Sequence, residues 1–356
     1  MLVRYRTDNE GRREKQALLY TKDEHKISRH DVDPDAWKVA HRLHVKGHTA
    51  YIVGGAVRDL MLGRRPKDFD VATDAQPNRI RRLFRNSRVI GKRFRLVHVV
   101  FGDKIIEVST FRAADSVGFN NVYGAIEEDA RRRDFSVNAL YYSPFDETVL
   151  DYVGGVEDIH HRRLEPVLPL ETIFEEDPVR IVRGIKYATS LDLRIPGPVR
   201  RRMKKIVEKL ALVSPSRITE EVFKILLSGR AEAMVAGMRR LGVFEFLLPA
   251  VDARMRENRE YRTDLARRLC ELDNYFQACK GDADRSTALA CLFADEFLAY
   301  GEFAGESRVP TKDAFLALKA FIRPVTPANA DVEAALRILF RARRRYAEDG
   351  RVLPDT

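Results

Sequence analysis

The stretch YIVGGAVRDLMLGRRPKDFDVAT, Tyr51 to Thr73, holds a short apolar run, two adjacent glycines, an arginine one turn later and two aspartates separated by a phenylalanine. Its first part reads as a buried strand that passes through Gly54 and Gly55 into a helix carrying Arg58, Leu60, Met61 and Leu62. Its last part, DFDVAT, reads as a second strand. Side chains two apart on a strand share a face, so Asp68 and Asp70 project together while Phe69 and Val71 turn into the core. Two ionised carboxylates at close range repel unless a cation sits between them, and a divalent metal relieves that repulsion. A glycine junction ahead of a helix lets backbone N–H groups approach an anion, to which an arginine one turn in adds a charge-assisted contact. Taken singly, the two halves have plain structural readings, a solvated acidic turn and a tight strand-to-helix turn. Taken together they suit a triphosphate bridged to metal.

The rest of the chain is consistent with a soluble protein that meets an acidic partner. It has 356 residues, 45% of them hydrophobic, enough for more than one domain, and a formal charge of +10. No apolar run approaches a membrane span, and the opening MLVRYRTDNEGRREKQ lacks the apolar core of a signal peptide, so a cytoplasmic location is expected. Cys270, Cys279 and Cys291 show no metal-ligand spacing and read as reduced core thiols. TAYIV, DFDVAT, RFRLVHVVF and KIIEVSTF are strand-like, and FGDK between the last two predicts an antiparallel hairpin. Asp33 and Pro34 form a helix start ahead of AWKVAHRL, and the residues before them read as a polar and charged arm. Beyond Asp177 the periodicity is helical, as in Ile218, Val222, Ile225 and Leu226.

Several segments carry a family likeness: KDEHKISRHDVDP (22–34), the opening stretch, RRRDFSVNALYY (131–142), DYVGGVEDI (151–159), EEDPVRIVRGIKYA (175–188) and SPSRITEEVFKILLSG (214–229). Together they resemble the class II nucleotidyltransferases of the polymerase-beta superfamily, the family of bacterial poly(A) polymerases and CCA-adding enzymes. The resemblance implies an α+β fold, a small mixed or antiparallel-sheet head followed by an all-α neck and body. It implies that Asp68 and Asp70 bind two catalytic magnesium ions, that Gly54, Gly55 and Arg58 hold the triphosphate, and that Arg133 and Asp134 lie at the nucleotide and active site. A third carboxylate usually completes a two-metal site, and two residues are candidates. Asp134 has the stronger claim from the motif, and Glu107 is held in reserve because it shares a strand face with Ile105 and Ser109.

Base selection is expected in EEDPVRIVRGIKYA, where Asp177, Arg180 and Arg183 recur every three residues along one helix face. A carboxylate accepts from the exocyclic amine of adenine or cytosine while an arginine donates to the neighbouring ring nitrogen. The structural alternative is a capped helix with ordinary ion pairs. Two departures from the family pattern fall here: the approach LEPVLPLETIFEEDPVR, and Lys186-Tyr187 where Arg-Phe is customary.

The resemblance implies poly(A) addition over CCA addition, to which the DEHKISR run also points, because poly(A) polymerases of this branch carry a basic segment like VIGKRFRLVHVVFG, with Lys92, Arg93 and Arg95 as RNA contacts. Its plain alternative is an edge strand protected by charge. RIRRLFRNSR, VRRRMKK and RARRRY add further basic runs that can meet RNA phosphate. The expected activity is template-independent addition of AMP from ATP to RNA 3′ ends. CCA addition to tRNA is the rival reading, and a non-catalytic RNA-binding protein on the same fold is the rival from another class. The partners are RNA 3′ ends and ATP, with RNA-decay proteins a further class that no motif identifies. The expected organisation is an arm (1–32), a catalytic head (33–155), a neck (156–228), a helical RNA-binding body (229–340) and a basic tail (341–356).

Overall fold

Thr73 and Ala50 begin the register that organises the first unit. Strand β3 (Ala50–Val53) runs antiparallel to β4 (Asp70–Thr73), with Val53 opposite Asp70. The computed structural model describes residues 2–7, 13–91, 95–113, 123–279, 284–303, 311–349 and 352–353. They form two units, Met1–Ile173 and Phe174–Thr356.

The first unit is built on one nine-stranded sheet. Its other strands are β1 (Leu2–Thr7), β2 (Arg13–Tyr20), β5 (Ser87–Ile90), β6 (Leu96–Phe101), β7 (Lys104–Thr110), β8 (Leu140–Ser143) and β9 (Thr148–Asp151). The spatial order is β1-β2-β9-β8-β3-β4-β7-β6-β5. Every neighbouring pair is antiparallel except β4 and β7, which run parallel. The β6–β7 hairpin closes at Phe101 and Lys104, as the FGDK turn predicts.

The sheet is wider than the sequence reading expects, because residues read as a polar arm supply β1 and β2. β2 pairs with β9 through Leu18, Leu19 and Tyr20, and these residues give it one apolar end. DFDVAT is also shorter as a strand than expected. Pairing starts at Asp70, although Phe69 at 8% and Val71 at 0% exposure, on either side of exposed Asp70, preserve the alternation.

Directly paired residues share a face, so the registers define a row across seven strands: His98, Glu107, Asp70, Val53, Tyr141, Leu150 and Leu19. Val53, Tyr141 and Leu150 belong to one buried cluster with Ala72, Phe111 and Ala130, and Leu19 packs against it. The opposite face presents Ile52, Val71 and Val108, and the helix Pro34–Val45 packs on β3, β4 and β7 through Ala36, Val39, Ala40 and Leu43. That helix starts as expected: Asp33 Oδ1 accepts from Asp35 N at 2.9 Å and Ala36 N at 3.3 Å, and Pro34 occupies the first turn.

The named elements of the second unit are all helices. The helices Val179–Leu191 and Pro215–Leu226 bury apolar faces at three-to-four spacing, Ile218, Val222, Ile225 and Leu226 among them. The basic run from Phe340 continues the helix Asn329–Asp349. All three cysteines are free, but only Cys291 is a core thiol, for Cys270 is exposed and Cys279 half-buried. Cys270 lies on the wetter side of the helix Arg259–Ala278, whose core contacts come from Leu265, Leu269 and Leu272.

A second pair of glycines locks the end of the sheet. Asp151 accepts from the N–H groups of Val153, Gly154, Gly155 and Val156, and Gly155 packs so closely that an added Cβ would collide with the carbonyl of Ser136. Gly155→Ala should destabilise the unit by at least ~1–3 kcal/mol, the usual cost of overpacking. Urea unfolding of the two proteins measures it, and equal midpoints would refute the packing assignment.

Candidate active site

The β3 strand ends at Gly54, whose φ of 68° and ψ of −127° suit glycine and few other residues. A Cβ there would meet Arg133 Nη1 at 3.2 Å, so the glycine also makes room for that guanidinium. Gly55 opens the helix Gly55–Met61, and Arg58 lies buried on it. Arg58 is held from within the protein: Nη1 donates to Asn138 Oδ1, and Nε donates to Asp59 Oδ1 at 2.9 Å.

Arg133 is fixed by a matching set of contacts. Its Nε donates to the Tyr141 hydroxyl at 3.0 Å, Nη1 to the Asn138 carbonyl at 3.2 Å and Nη2 to Asp129 Oδ2 at 3.1 Å. The Tyr141 hydroxyl also donates to Asp129 Oδ2 at 2.7 Å. Burial works against ionised Asp129, but Arg133 and then Arg112 hold its carboxyl below the usual range. Asn138 thus links both arginines, one through its side chain and one through its carbonyl. Asn138, Asp129 and Tyr141 were absent from the sequence-derived site, although Asn138 and Tyr141 stand in the RRRDFSVNALYY motif that carried Arg133 and Asp134.

Asp134 is buried, and its Oδ1 accepts from Phe135 N at 2.8 Å and from Asn138 Nδ2 at 3.2 Å. It therefore holds Asn138, which in turn holds Arg58. Glu107 lies elsewhere, directly beside Asp70 in the parallel pairing of β4 with β7, and its Oε1 is 3.2 Å from His98 Nε2.

Asp70 is exposed but recessed among protein groups. Desolvation, then the charge of Glu107 and the smaller effect of Asp68, push its carboxyl up to about 6, with Arg133 opposing. Asp68 and Glu107 thus both make ionisation of Asp70 harder, the electrostatic signature of a site that a divalent cation would relieve. Their hard oxygen donors suit magnesium. Among the described residues no group of three or more His, Cys, Asp or Glu side chains is placed to hold a metal ion by itself. An open carboxylate set of this kind suits magnesium, which commonly completes its shell with water and substrate phosphate.

The other nominated residues belong to the second unit or to the basic segment. Asp177 receives both contacts of Arg217, Nη2 lying 2.9 and 2.7 Å from its two oxygens. Arg180 Nη1 donates to Glu176 at 3.3 Å, and Arg183 Nη2 donates to the Tyr187 hydroxyl at 3.0 Å. The departure at Lys186 has its own partner: Nζ donates to Glu221 at 2.6 Å, and Lys186 holds that carboxyl low despite burial. Lys92 and Arg93 lie outside the described residues. Arg95 is exposed immediately before β6.

The chain is similar to known proteins. Residues 50–165 match the family described as the poly A polymerase head domain, and residues 192–255 match the family described as the probable RNA and SrmB-binding site of polymerase A. Over 256 residues the chain is 41% identical to a poly(A) polymerase I of Salmonella typhi, covering 67% of this chain and 55% of that protein. It is 35% identical over 221 residues to a CCA-adding enzyme of Bacillus velezensis, covering 60% of this chain and 55% of that one. The chain therefore spans little more than half the length of these relatives. Among solved structures, the Bacillus stearothermophilus CCA-adding enzyme in complex with CTP superposes with a TM-score of 0.57 at 26% identity, covering 89% of this chain and 83% of that one. No helix among the described residues is long and apolar enough to cross a membrane.

The raised Asp70 carboxyl has a consequence for stability. A folded-state pKa of about 6 against 3.8 for the ordinary group means that ionising Asp70 costs folding free energy. The proton-bound advantage is complete below the unfolded value and is lost as pH rises through the folded one. In metal-free buffer, Asp70→Asn should melt above the unaltered chain at about pH 8, and the gap should close as pH falls toward about 4. Melting curves at the two pH values test this, and a constant gap would refute the electrostatic origin.

Proposed function

We propose that this chain, a member of the class II nucleotidyltransferases of the polymerase-beta superfamily, adds AMP from ATP to RNA 3′ ends without a template. The observation that carries the reading is the juxtaposition of Asp70 with Glu107 beside the Gly54 and Arg133 junction, in a chain most of which aligns with poly(A) polymerase I. The RNA 3′-hydroxyl attacks the ATP α-phosphate, a new P–O bond forms, the bond to the bridging oxygen breaks and pyrophosphate leaves. In this reading the chain works in the cytoplasm.

In this reading Asp68 and Asp70 hold two magnesium ions, with Glu107 the third carboxylate. When bound, the ions lower the pKa of the attacking hydroxyl and offset charge on the leaving group. Gly54 and Gly55 admit the phosphates, and Arg58 and Arg133 face them as pre-organised cations. Asp134 acts through Asn138, as a positioning residue for Arg58. Asp177 and Arg180 read the base, with Arg183 beside them on the same helix. Arg217 orients Asp177 without exhausting it, because a carboxylate offers about four acceptor sites.

Asp68→Ala or Asp70→Ala should abolish incorporation while RNA affinity stays within a few-fold, since dispersed cations hold RNA phosphate. Near-normal incorporation by both variants would refute the metal-site assignment. Removing Arg180 takes away the ring-nitrogen donor, so Arg180→Ala should lose roughly ten- to a hundred-fold in discrimination against UTP and GTP. Competition assays with paired nucleotides measure this, and unchanged selectivity in a folded variant would show that this helix does not read the base.

The CCA-adding structural relative bound to CTP makes the choice of activity testable. The purified protein is given magnesium, one labelled nucleotide at a time, and either unstructured RNA or a tRNA lacking its terminal CCA. Long ladders with ATP on both RNAs and little use of CTP are expected. Two additions of C and one of A, on tRNA alone, would identify CCA addition instead.

A further inference from the structure

The run RIRRLFRNSR, Arg79 to Arg88, holds five arginines and no carboxylate in ten residues. All five arginines are exposed, and among the described residues their guanidinium groups make no ion pair or hydrogen bond. By contrast Lys22 pairs with Glu147, Lys104 with Asp33 and Arg131 with Glu127. A cluster of exposed cations without protein partners leaves its charge for an anionic ligand.

The fold turns this run into a path. Arg79 and Arg82, three apart, share one side of the helix Pro77–Leu83. That helix buries Ile80 and Leu83 and packs against β5, β6 and the helix Pro34–Val45. It therefore covers the same face of the sheet as Pro34–Val45, the face opposite Asp70. Arg42 of Pro34–Val45 lies over the Phe84 ring at 5.3 Å and adds a cation on this side. Arg85 follows in the connection to β5, the last strand of the sheet. Arg88 of β5 then pairs with His98, so it extends the row His98, Glu107 and Asp70 on the active-site face. Arg79, Arg82, Arg85 and Arg88 recur every three residues and carry positive charge from one face of the sheet, around its β5 edge, to the other. Charge on an edge strand also guards it against pairing with another chain, which accounts for Arg88. It does not account for the arginines on the helix.

We propose that this arginine band holds the RNA strand upstream of its 3′ end, leading it from the Asp70 face around the β5 edge onto the face covered by Pro77–Leu83. Arginine suits the role because its guanidinium binds phosphate through two parallel hydrogen bonds. Phosphate contacts carry no sequence preference, so the band accepts a growing homopolymer as readily as the RNA on which it began. A strand held behind its reacting end stays on the protein between additions. The inference rests on the function proposed above for which end of the strand reacts, while its binding test stands apart from catalysis.

The full chain is titrated in EDTA, without nucleotide, against a fluorescein-labelled unstructured RNA of about 25 nucleotides, longer than one single-strand site. Anisotropy is read across a salt series. In Arg79→Gln/Arg82→Gln/Arg85→Gln the slope of log affinity against log salt should shrink by about 2, three contacts at about 0.7 each, and affinity near 0.1 M salt should fall roughly thirty- to a hundred-fold. Arg79→Lys/Arg82→Lys/Arg85→Lys keeps the charges and should keep most of the slope. Under turnover, a 25-nucleotide primer should lose its advantage in KM over a primer of about 5 nucleotides, which is too short to pass the edge. With excess unlabelled RNA as a trap, the glutamine variant should add fewer adenylates per binding event.

An unchanged slope in the folded glutamine variant would overturn the proposal, as would an equal loss in the lysine variant. So would KM values that rise together for both primers, which would put these arginines at the 3′ end itself. Lost binding to phosphatidylglycerol vesicles with an unchanged RNA slope would make the band a membrane contact instead. An unaltered chain that shows the expected slope with RNA but incorporates no AMP would defeat the functional reading and leave the band as an RNA site.

Discussion

The parallel pairing of β4 with β7 places Asp70 against Glu107, and the rest of the first unit is arranged around that contact. Along the row through Leu19, Leu150, Tyr141 and Val53 the side chains are apolar or fully buried, and at Asp70 the row turns to ionisable groups that continue through Glu107 to His98. The buried end anchors the strands by removing apolar area from water. The charged end bears the electrostatic cost, visible in the raised Asp70 carboxyl. Folding energy from one half of the sheet therefore holds together groups that would separate if left to their own charges. Stability is spent locally where chemistry needs it.

The arginines beside this row are held by a polar network rather than by the dipole of a long helix. Gly55–Met61 is a single short helix, so in the proposed reading the charge offered to the triphosphate comes chiefly from Arg58 and Arg133. Asn138 ties the two together, and Asp134 and Asp129 hold Asn138 and Arg133 in turn. Networks of this kind are worth having only when complete, because each buried donor left unmatched costs more than a made hydrogen bond returns. Losing Asp134 would then reach Arg58 through Asn138. In the proposed reading such a residue acts through position.

Local patterns were legible in the sequence and long-range register was not. The alternation about Phe69, the cap at Asp33, the FGDK hairpin and the glycine junction each depend on a few neighbouring residues, and each appears where expected. The parallel register of β4 and β7 joins residues 37 positions apart (Asp70 and Glu107), and no local pattern encodes it. Glu107 therefore stands behind Asp134 in the sequence reading, and its place beside Asp70 is visible only once the strands are paired. Leu2–Thr7 and Arg13–Tyr20 escaped notice for another reason. Strands near the edge of a sheet need little apolar content and tolerate charge, so REKQALLY looks like a solvated arm until β9 is set beside it. Cys270 was misplaced because an apolar stretch of helix leaves one side wet, and a single residue does not disclose which side it occupies.

The same distinction bears on the second unit. Lys186 replaces a customary arginine, yet its 2.6 Å contact with Glu221 comes from a helix 35 positions away and buries both charges. A buried pair is costly to split and gives little net stability, so its use is in fixing which faces of the two helices meet. The contact of Arg217 with Asp177 crosses between the same two segments. On the proposed reading these two pairs do one job: the first sets the register of Val179–Leu191 against Pro215–Leu226, and the second orients the carboxylate at its start. A base-reading group ordered before the nucleotide arrives loses less freedom on binding than one ordered by it. Discrimination then resides in the fixed spacing of donor and acceptor, which is why a departure from the family sequence at Lys186 can leave Asp177 and Arg180 in place.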